Sequence, residues 1–424
     1  MVQHRWRVWL VSVVAVGAPG ALGGCAACGD QVTADGAAID AASVDRGAID
    51  AAFADRAAVD HAVIDHSAPD HGATDGAATD TGGASDAQFV GDAAHRDAAA
   101  GCGAPNPFVP VGSTVVWRHT IETPLVTAMG AANHRGQDVI VKPGQTQRLI
   151  AKFAYGTTDV DLTDEDVEIF IQTNPPCGSW ESFGVVATST NGQYGTVDGI
   201  DDDGGRIFFT IPTGRALPLG RYPVRMLVLG DHSMASFALW VVSPGTSAVV
   251  FDIDGTLTTG DSELVYQLVD EIFSGSYVPE MRLAADQVVL GWDDRNYLII
   301  YLTGRPDMLS ARSREWLIER GLPAGVLHHT NTNAQALPSG VAQYKSDFLI
   351  SHNTQVELNA AYGNASTDIT AYATAGIGVA RTYIIGDHAG EGGTVALTDY
   401  PSHLPTLQAL SQADTPAPRP SGWW

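Results

Sequence analysis

Basic residues are scarce in this chain, where 23 Lys and Arg stand against 48 Asp and Glu and the net charge is −25. Proteins bind nucleic acid largely through Lys and Arg contacts with phosphates, so nucleic acid is excluded as an expected partner. Attraction to an anionic membrane surface also requires clusters of basic residues. Contact with lipid therefore has to come from an anchor or from a local pocket.

Long apolar runs are also lacking, and the run near the N-terminus, from Val8 to about Val16, is too short to span a bilayer easily. Basic residues precede it and Leu22-Gly23-Gly24-Cys25 follows it, which is the layout of a lipoprotein signal peptide over residues 1–24. Lipid on Cys25 predicts an exported, lipid-anchored bacterial protein, periplasmic or surface-exposed, and Ala26 favours the outer membrane. An ordinary cleaved signal peptide is the alternative.

Cysteine is rare, with four residues in the chain, and Cys25 is assigned to lipidation. Cys102 and Cys177 could form a disulfide, because an exported chain lies in a compartment where disulfides persist. The alternative is that they are two unrelated small residues, and both interpretations stay open.

A chain of 424 residues is too long for one domain, and its patterns divide it into several parts. Aspartate occupies every fifth position from Asp30 to Asp80, a period that suits no compact element, so residues 25–104 are predicted to be a disordered Ala- and Asp-rich spacer. Short Val, Ile, Phe and Trp runs between turn signals predict an all-β, immunoglobulin-like sandwich over residues 105–245. Alternating β and α patterns predict a parallel-sheet domain over residues 246–410, before a Pro-rich tail at 411–424.

The strongest chemical signal is Asp252-Ile253-Asp254-Gly255-Thr256, which directly follows the apolar run Ala248 to Phe251. Such a run is typical of a strand buried on both faces of a parallel sheet, and ligands collect at the carboxyl ends of these strands. Asp252 can attack phosphorus while Asp254 protonates the leaving oxygen. A solvated acidic turn is the alternative.

A second apolar strand, Tyr297 to Leu302, ends in Thr303-Gly304-Arg305-Pro306. The Thr303 hydroxyl can hydrogen-bond a phosphoryl oxygen, and the Gly304 and Arg305 segment is placed to bind the same phosphate. Arg305 could equally hold the loop.

Two oxygen-bearing side chains, Asn364 and Asp368, follow Gly363 four residues apart. Together with Asp252 and the backbone carbonyl of Asp254 they offer the hard oxygen ligands that Mg²⁺ prefers, and either Asn364 or Asp368 could be the direct ligand. A helix N-cap is the alternative for these residues. Gly386-Asp387, after another apolar strand, is a minor competitor for the same role.

The order of these motifs resembles that of the haloacid-dehalogenase-type (HAD) phosphatases, which implies a Rossmann-like parallel sheet. In that order Lys345 supplies the cation that holds the nucleophile and the phosphoryl group together, although alone it would pass for a surface lysine. The short spacings, about fifty residues from Asp252 to Thr303 and fewer than twenty from Lys345 to Asn364, leave no room for a large cap domain. An open site favours a substrate held in something larger, such as a phospholipid headgroup in a membrane.

At a finer level the chain resembles the LNS2 domain, which is shared by lipins and by the RdgB class of membrane-associated phosphatidylinositol transfer proteins. The lipin branch implies a Mg²⁺-dependent phosphatidate phosphatase, whereas the other branch lacks the aspartate pair and implies phosphatidic acid binding. This chain keeps Asp252 and Asp254, as the enzymes do, but carries Thr303 where lipins have Ser. The resemblance rests on five segments: His134 to Lys142, Lys152 to Gly156, Gly220 to Met226, Tyr301 to Met308, and Tyr362 to Tyr372.

We therefore expect a Mg²⁺-dependent phosphatase of phosphatidic acid or a related phosphomonoester that works through an aspartyl-phosphate on Asp252. A phosphatidic acid binding module without turnover and a phosphatase of soluble phosphomonoesters are the alternatives.

Overall fold

The computed structural model describes residues 106–110, 112–260, 278–332 and 335–419, which belong to one compact unit. The predicted signal peptide with Cys25, the Ala- and Asp-rich spacer, and Cys102 lie outside these residues. Across the described ranges, no helix combines the length and the apolar character needed to cross a membrane.

The first domain is a β-sandwich, as predicted. One core holds side chains from both of its main sheets, among them Leu149 and Ile207 from one sheet and Ile169 and Val224 from the other. Cys177 of this domain is disulfide-bonded, and every other cysteine of the chain lies outside the described residues. A short helix, α1, precedes the strands at Glu122–Thr127. The strands are β1 Arg135–Gly136, β2 Val139–Val141, β3 Arg148–Lys152, β4 Ala154–Tyr155, β5 Val160–Asp161, β6 Asp166–Gln172, β7 Trp180–Ala187, β8 Thr196–Val197, β9 Ile200–Asp201, β10 Arg206–Thr210, β11 Gly220–Val228 and β12 Met234–Val241.

The sheets of the sandwich differ in size. The larger has five strands in the order β2-β12-β11-β6-β7, and the smaller has three in the order β1-β3-β10. The pairs β4-β5 and β8-β9 form separate two-stranded ribbons.

The second domain is built on a six-stranded sheet in the order β15-β14-β13-β16-β17-β18, in which every pairing is parallel. The predicted apolar run Ala248 to Phe251 lies in the central strand and is fully buried, with alternate residues in the cores on the two sheet faces. The parallel domain predicted from the sequence is thereby confirmed. Its elements are β13 Thr246–Phe251, α2 Ala285–Asp293, β14 Leu298–Pro306, α3 Ser310–Glu319, β15 Val326–Thr330, α4 Pro338–Ser351, β16 Val356–Gly363, α5 Ser366–Thr374, β17 Thr382–Ile385, β18 Val395–Leu397 and α6 Leu404–Gln408.

The two domains share a packed seam. Ile140 and Trp240 of the sandwich lie in the same core cluster as Val250 of the parallel sheet. Asp138 is fully buried there and accepts hydrogen bonds from the Ala238 amide, the Arg314 guanidinium and the Leu327 amide at 2.7, 2.8 and 2.9 Å. One carboxylate therefore connects β12, α3 and β15.

We expect the substitution Asp138→Asn to lower the free energy of unfolding by about 2 kcal/mol, because an amide NH₂ replaces one accepting oxygen and faces a buried donor. Urea unfolding followed by fluorescence measures the loss. Asp198→Asn is the matched control, since Asp198 pairs with Arg148 at 2.8 Å on the surface, where we expect a change of at most about 0.5 kcal/mol. Equal unfolding midpoints for the two variants would show that Asp138 does not hold the seam.

Candidate active site

The candidate residues gather at the carboxyl edge of the parallel sheet. Asp252 directly follows β13, Thr303 and Arg305 occupy the end of β14, and Asn364 directly follows β16. Strand β13 lies between β14 and β16. After β13 the chain forms β14 and β15 on one side of it, and it then crosses to form β16, β17 and β18 on the other side. This reversal of strand order opens a crevice outside the strand ends, where ligands bind in open α/β sheets.

Lys345 connects two buried carboxylates. Its Nζ, on α4, lies 2.6 Å from Asp252 Oδ1 and 2.7 Å from Oδ1 of Asp368, on α5. Burial lowers the pKa of Lys345, but the two carboxylates more than offset this and hold its pKa above the ordinary value. Burial raises the pKa of Asp252, and Lys345 acts against this by stabilising the carboxylate. The lysine is therefore a core cation directed at the candidate nucleophile, and the surface alternative is wrong.

Asp254 is held by a buried arginine. The Arg305 guanidinium donates through Nε at 2.9 Å and through Nη2 at 2.8 Å to the Asp254 carboxylate, and through Nη1 to Ser313 Oγ at 3.1 Å. Thr303 Oγ1 lies 3.4 Å from Asp254 Oδ2. A phosphate contact of Arg305 stays a prediction, and it requires the guanidinium to release part of this pairing.

Gly304 lies between these two residues, and a Cβ at this position would approach the Val341 side chain on α4 to 3.2 Å. The absence of a side chain therefore lets the end of β14 lie close against the helix that carries Lys345. Binding of phosphate by the Gly304 backbone stays a prediction.

Asn364 and Asp368 occupy different environments. Asn364 Oδ1 and Asp252 Oδ2 both lie within hydrogen-bond distance of the Thr256 hydroxyl, at 3.0 and 3.1 Å. Asp368 accepts from Lys345 through one oxygen and from the backbone amides of Asn364 and Ala365 through the other. Asn364 is therefore placed beside the candidate nucleophile, whereas both oxygens of Asp368 are already engaged.

The residues present fit a magnesium ion. Asp252 Oδ2 and Asn364 Oδ1 both lie close to the Thr256 hydroxyl, at 3.1 and 3.0 Å, so a carboxylate oxygen and an amide oxygen come together at the ends of β13 and β16. Carboxylate, amide and carbonyl oxygens are the ligands Mg²⁺ prefers. Among the described residues, no cluster of three or more His, Cys, Asp or Glu is arranged to hold a metal. The candidate magnesium ligands are the carboxylates of Asp252 and Asp368, the Asn364 amide and the Asp254 backbone carbonyl, and a direct contact of Asn364 or Asp368 with the ion stays a prediction.

The turn that carries the two aspartates is supported by residues that sequence reasoning did not single out. Gly255 has a φ of +71°, a left-handed conformation that favours glycine. The Arg282 side chain donates to the Gly255 carbonyl, and the Tyr400 hydroxyl donates to the Thr256 carbonyl, both at 2.9 Å. Both side chains are distant from the turn in sequence, so no local signal identifies them.

The competing pair Gly386-Asp387 lies apart from this arrangement. It follows β17, which is separated from β13 by β16, and its two residues are exposed.

Two family models match this chain, one for each folded domain. Residues 249–386 match the LNS2 domain of PITM 1-3, and residues 132–241 match the beta-sandwich domain of PITM 1-3. The sandwich and the parallel-sheet domain are therefore similar to two domains that occur together in PITM 1-3. Both matches fall in the RdgB and PITM class, and the predicted resemblance to that branch is confirmed.

Individual relatives agree with these matches. The chain is 36% identical over 325 residues to membrane-associated phosphatidylinositol transfer protein 1 of Rattus norvegicus, an alignment that covers 75% of this chain and 24% of that protein. It is 35% identical over 286 residues to protein retinal degeneration B of Drosophila melanogaster, which covers 66% and 20%. The chain thus spans a quarter or less of the length of these relatives.

Among solved structures, a superoxide reductase (neelaredoxin) of Ignicoccus hospitalis aligns with 26% of this chain and 78% of its own, at 9% identity and a TM-score of 0.16. A likeness this low carries no argument about the fold.

Proposed function

We propose that the chain is a Mg²⁺-dependent HAD-type phosphatase that hydrolyses phosphatidic acid or a related phosphomonoester through an aspartyl-phosphate on Asp252. The observation that carries the proposal is the position of Asp252 at the end of the central strand, with Lys345 Nζ at 2.6 Å and a second aspartate two residues on. A buried cation and carboxylate at a strand-order reversal are typical of a reaction centre.

The proposed chemistry has two steps. The Asp252 carboxylate attacks phosphorus, the bond to the leaving oxygen breaks, and Asp254 gives that oxygen a proton. Water then attacks phosphorus, Asp254 takes its proton, and the Asp252 carboxylate is regenerated with release of inorganic phosphate.

The surrounding residues have supporting roles. Lys345 keeps positive charge beside the nucleophile, Thr303 is the candidate donor to a phosphoryl oxygen, and Arg305 holds Asp254 in place through its paired hydrogen bonds. Asp252, Asn364 and the Asp254 carbonyl are the residues that would hold Mg²⁺, which supplies positive charge that polarises a phosphoryl oxygen when bound.

A membrane substrate is favoured by the relatives, whose names describe membrane-associated phosphatidylinositol transfer proteins. The proposed lipid anchor at Cys25 would hold the two domains at a bacterial membrane, where a phospholipid headgroup is within reach of an open site.

A second candidate is a phosphatidic acid binding module without turnover. The matches to the transfer-protein class favour it, and so does the engagement of Asp254 by Arg305, because a carboxylate occupied by two guanidinium nitrogens has to be released before it can serve a leaving group. A phosphatase of soluble phosphomonoesters is a third possibility.

Phosphate release by the purified full-length chain separates the three candidates. We expect release from phosphatidic acid vesicles in Mg²⁺, little release in EDTA, and slower release from a soluble phosphomonoester. Equal rates on both substrates would favour the soluble phosphatase. Vesicle binding with no release from any substrate would contradict the enzyme and support the binding module.

A further inference from the structure

A cleft of about 400 Å³ lies on the seam between the five-stranded sheet of the sandwich and helix α3. Its polar lining comes from both domains, with Arg225 on β11 and Ser236 on β12 facing Ser310 and Arg314 on α3. This volume is within the range of small-ligand sites.

Arg225 is the unusual member of this group. Among the described residues no carboxylate lies within 4 Å of its guanidinium, which donates to the Val224 carbonyl at 3.1 Å and lies 5.3 Å from the centre of the Trp180 ring. Burial, with a smaller effect of the positive charge of Arg314, lowers the pKa of Arg225 to about 10. A half-buried cation with no carboxylate beside it is unfavourable, which favours an anion in the space that it lines.

The cleft offers further donors. The Ser236 and Ser310 hydroxyls both line it, and neither makes a side-chain hydrogen bond to any described residue. Arg314 reaches Asp138 through Nη2 at 2.8 Å, which anchors it at the same wall. Two guanidinium groups and two hydroxyls thus line one space, a donor set that suits a tetrahedral phosphate group, whose four oxygens point in different directions, better than a planar carboxylate.

The outer part of the cleft restricts the charge of the ligand. Glu315 and Glu319, on the exposed face of α3, line the rim, and Glu315 pairs with Arg312 at 3.1 Å. Negative charge there disfavours a dianion such as a phosphomonoester, whereas Met234 and Ile318 provide apolar contact for an uncharged substituent.

We propose that this seam cleft binds a singly charged phosphodiester, with its phosphate oxygens on Arg225, Arg314, Ser236 and Ser310. This chemistry belongs both to diester phospholipid headgroups and to free glycerophosphodiesters. The site is separate from the candidate active site, and its occupation does not depend on phosphatase activity.

Titration of the full-length chain with glycerophosphoglycerol, and sedimentation with phosphatidylglycerol or phosphatidylcholine vesicles, test the proposal. We expect glycerophosphoglycerol to bind more tightly than inorganic phosphate, and Arg225→Met to weaken binding at least about tenfold. Arg148→Met is the matched control, because it removes a half-buried arginine of the same domain that does not line the cleft, and it should leave binding within about twofold. Binding to phosphatidylglycerol vesicles alone, with the same loss in Arg225→Met, would support the site and assign it to lipid.

Thermal melting without ligand separates binding from folding. Since Arg225 is a half-buried cation with no carboxylate beside it, Arg225→Met should leave the melting temperature unchanged or raise it while it removes binding. If Arg225→Met lowers the melting temperature, Ser236→Ala separates loss of binding from loss of stability. It deletes one hydroxyl and should weaken binding without changing the melting temperature. The proposal is overturned if neither glycerophosphoglycerol nor phosphatidylglycerol vesicles bind, or if inorganic phosphate binds more tightly than glycerophosphoglycerol. It is also overturned if Arg225→Met and Ser236→Ala both bind as tightly as the unchanged chain.

Discussion

Replacement of Asp252 by Asn is expected to reduce Mg²⁺-dependent phosphate release at least about a thousandfold, roughly 4 kcal/mol of activation free energy. Asn has nearly the same shape, but its amide is a very poor nucleophile toward phosphorus, so no aspartyl-phosphate forms. Lys345 keeps its contact with Asp368 at 2.7 Å, and the folded structure is expected to persist. Single-turnover phosphate release measures the rate, and circular dichroism of the same samples measures whether the folded structure persists.

Asp387→Asn is the matched control for this substitution. Asp387 also follows an apolar strand and a glycine, but it is exposed and lies beyond β16 from Asp252. We expect its rate to equal that of the unchanged chain. A large loss in Asp387→Asn, with activity retained in Asp252→Asn, would move the reaction centre to the end of β17 and show the assignment to be wrong.

Replacement of Lys345 by Met is expected to lower the free energy of unfolding by about 3 to 5 kcal/mol when no Mg²⁺ is added. The substitution leaves Asp252 and Asp368 buried near each other without the cation that contacts both. The same change removes the positive charge beside the nucleophile, so phosphate release should also fall strongly. Urea unfolding in EDTA measures the stability.

A double-mutant cycle isolates the electrostatic part of this effect. Asp252→Asn removes one of the two carboxylates, so Lys345→Met should cost at least about 1 kcal/mol less in the Asp252→Asn background. Additive losses would mean that Lys345 stabilises the core by packing rather than by charge. An unchanged unfolding midpoint in Lys345→Met would contradict the geometry described for the site.

Much of the architecture could be predicted because each domain carries a local pattern. The run Ala248 to Phe251 has no polar residue, and a strand with two buried faces requires this. Local patterns did not identify the partner of Arg305, because the sequence was compatible with both a phosphate contact and a loop contact. Its pairing with Asp254 depends on a fold that brings the ends of β13 and β14 side by side.

Long-range partners were inaccessible for the same reason. Tyr400 supports the Thr256 carbonyl across 144 residues of chain, and Asp138 connects two domains across 189 residues to Leu327. Arg225 would pass for a polar residue on a strand surface, and only the approach of α3 turns its environment into a cleft.

The sequence alone determined that Asp252 and Asp254 leave a buried strand on a glycine turn, because apolar run, aspartates and glycine are adjacent in the chain. The tertiary structure decided which side chains meet them: Lys345 at Asp252 and Arg305 at Asp254, with Asp368 joined to Asp252 through Lys345 and Asn364 joined to it through Thr256. Local patterns determine elements, because backbone conformation and burial depend on near neighbours. Charge pairing depends on distances between elements, and those distances exist only once the strands have been ordered in the sheet.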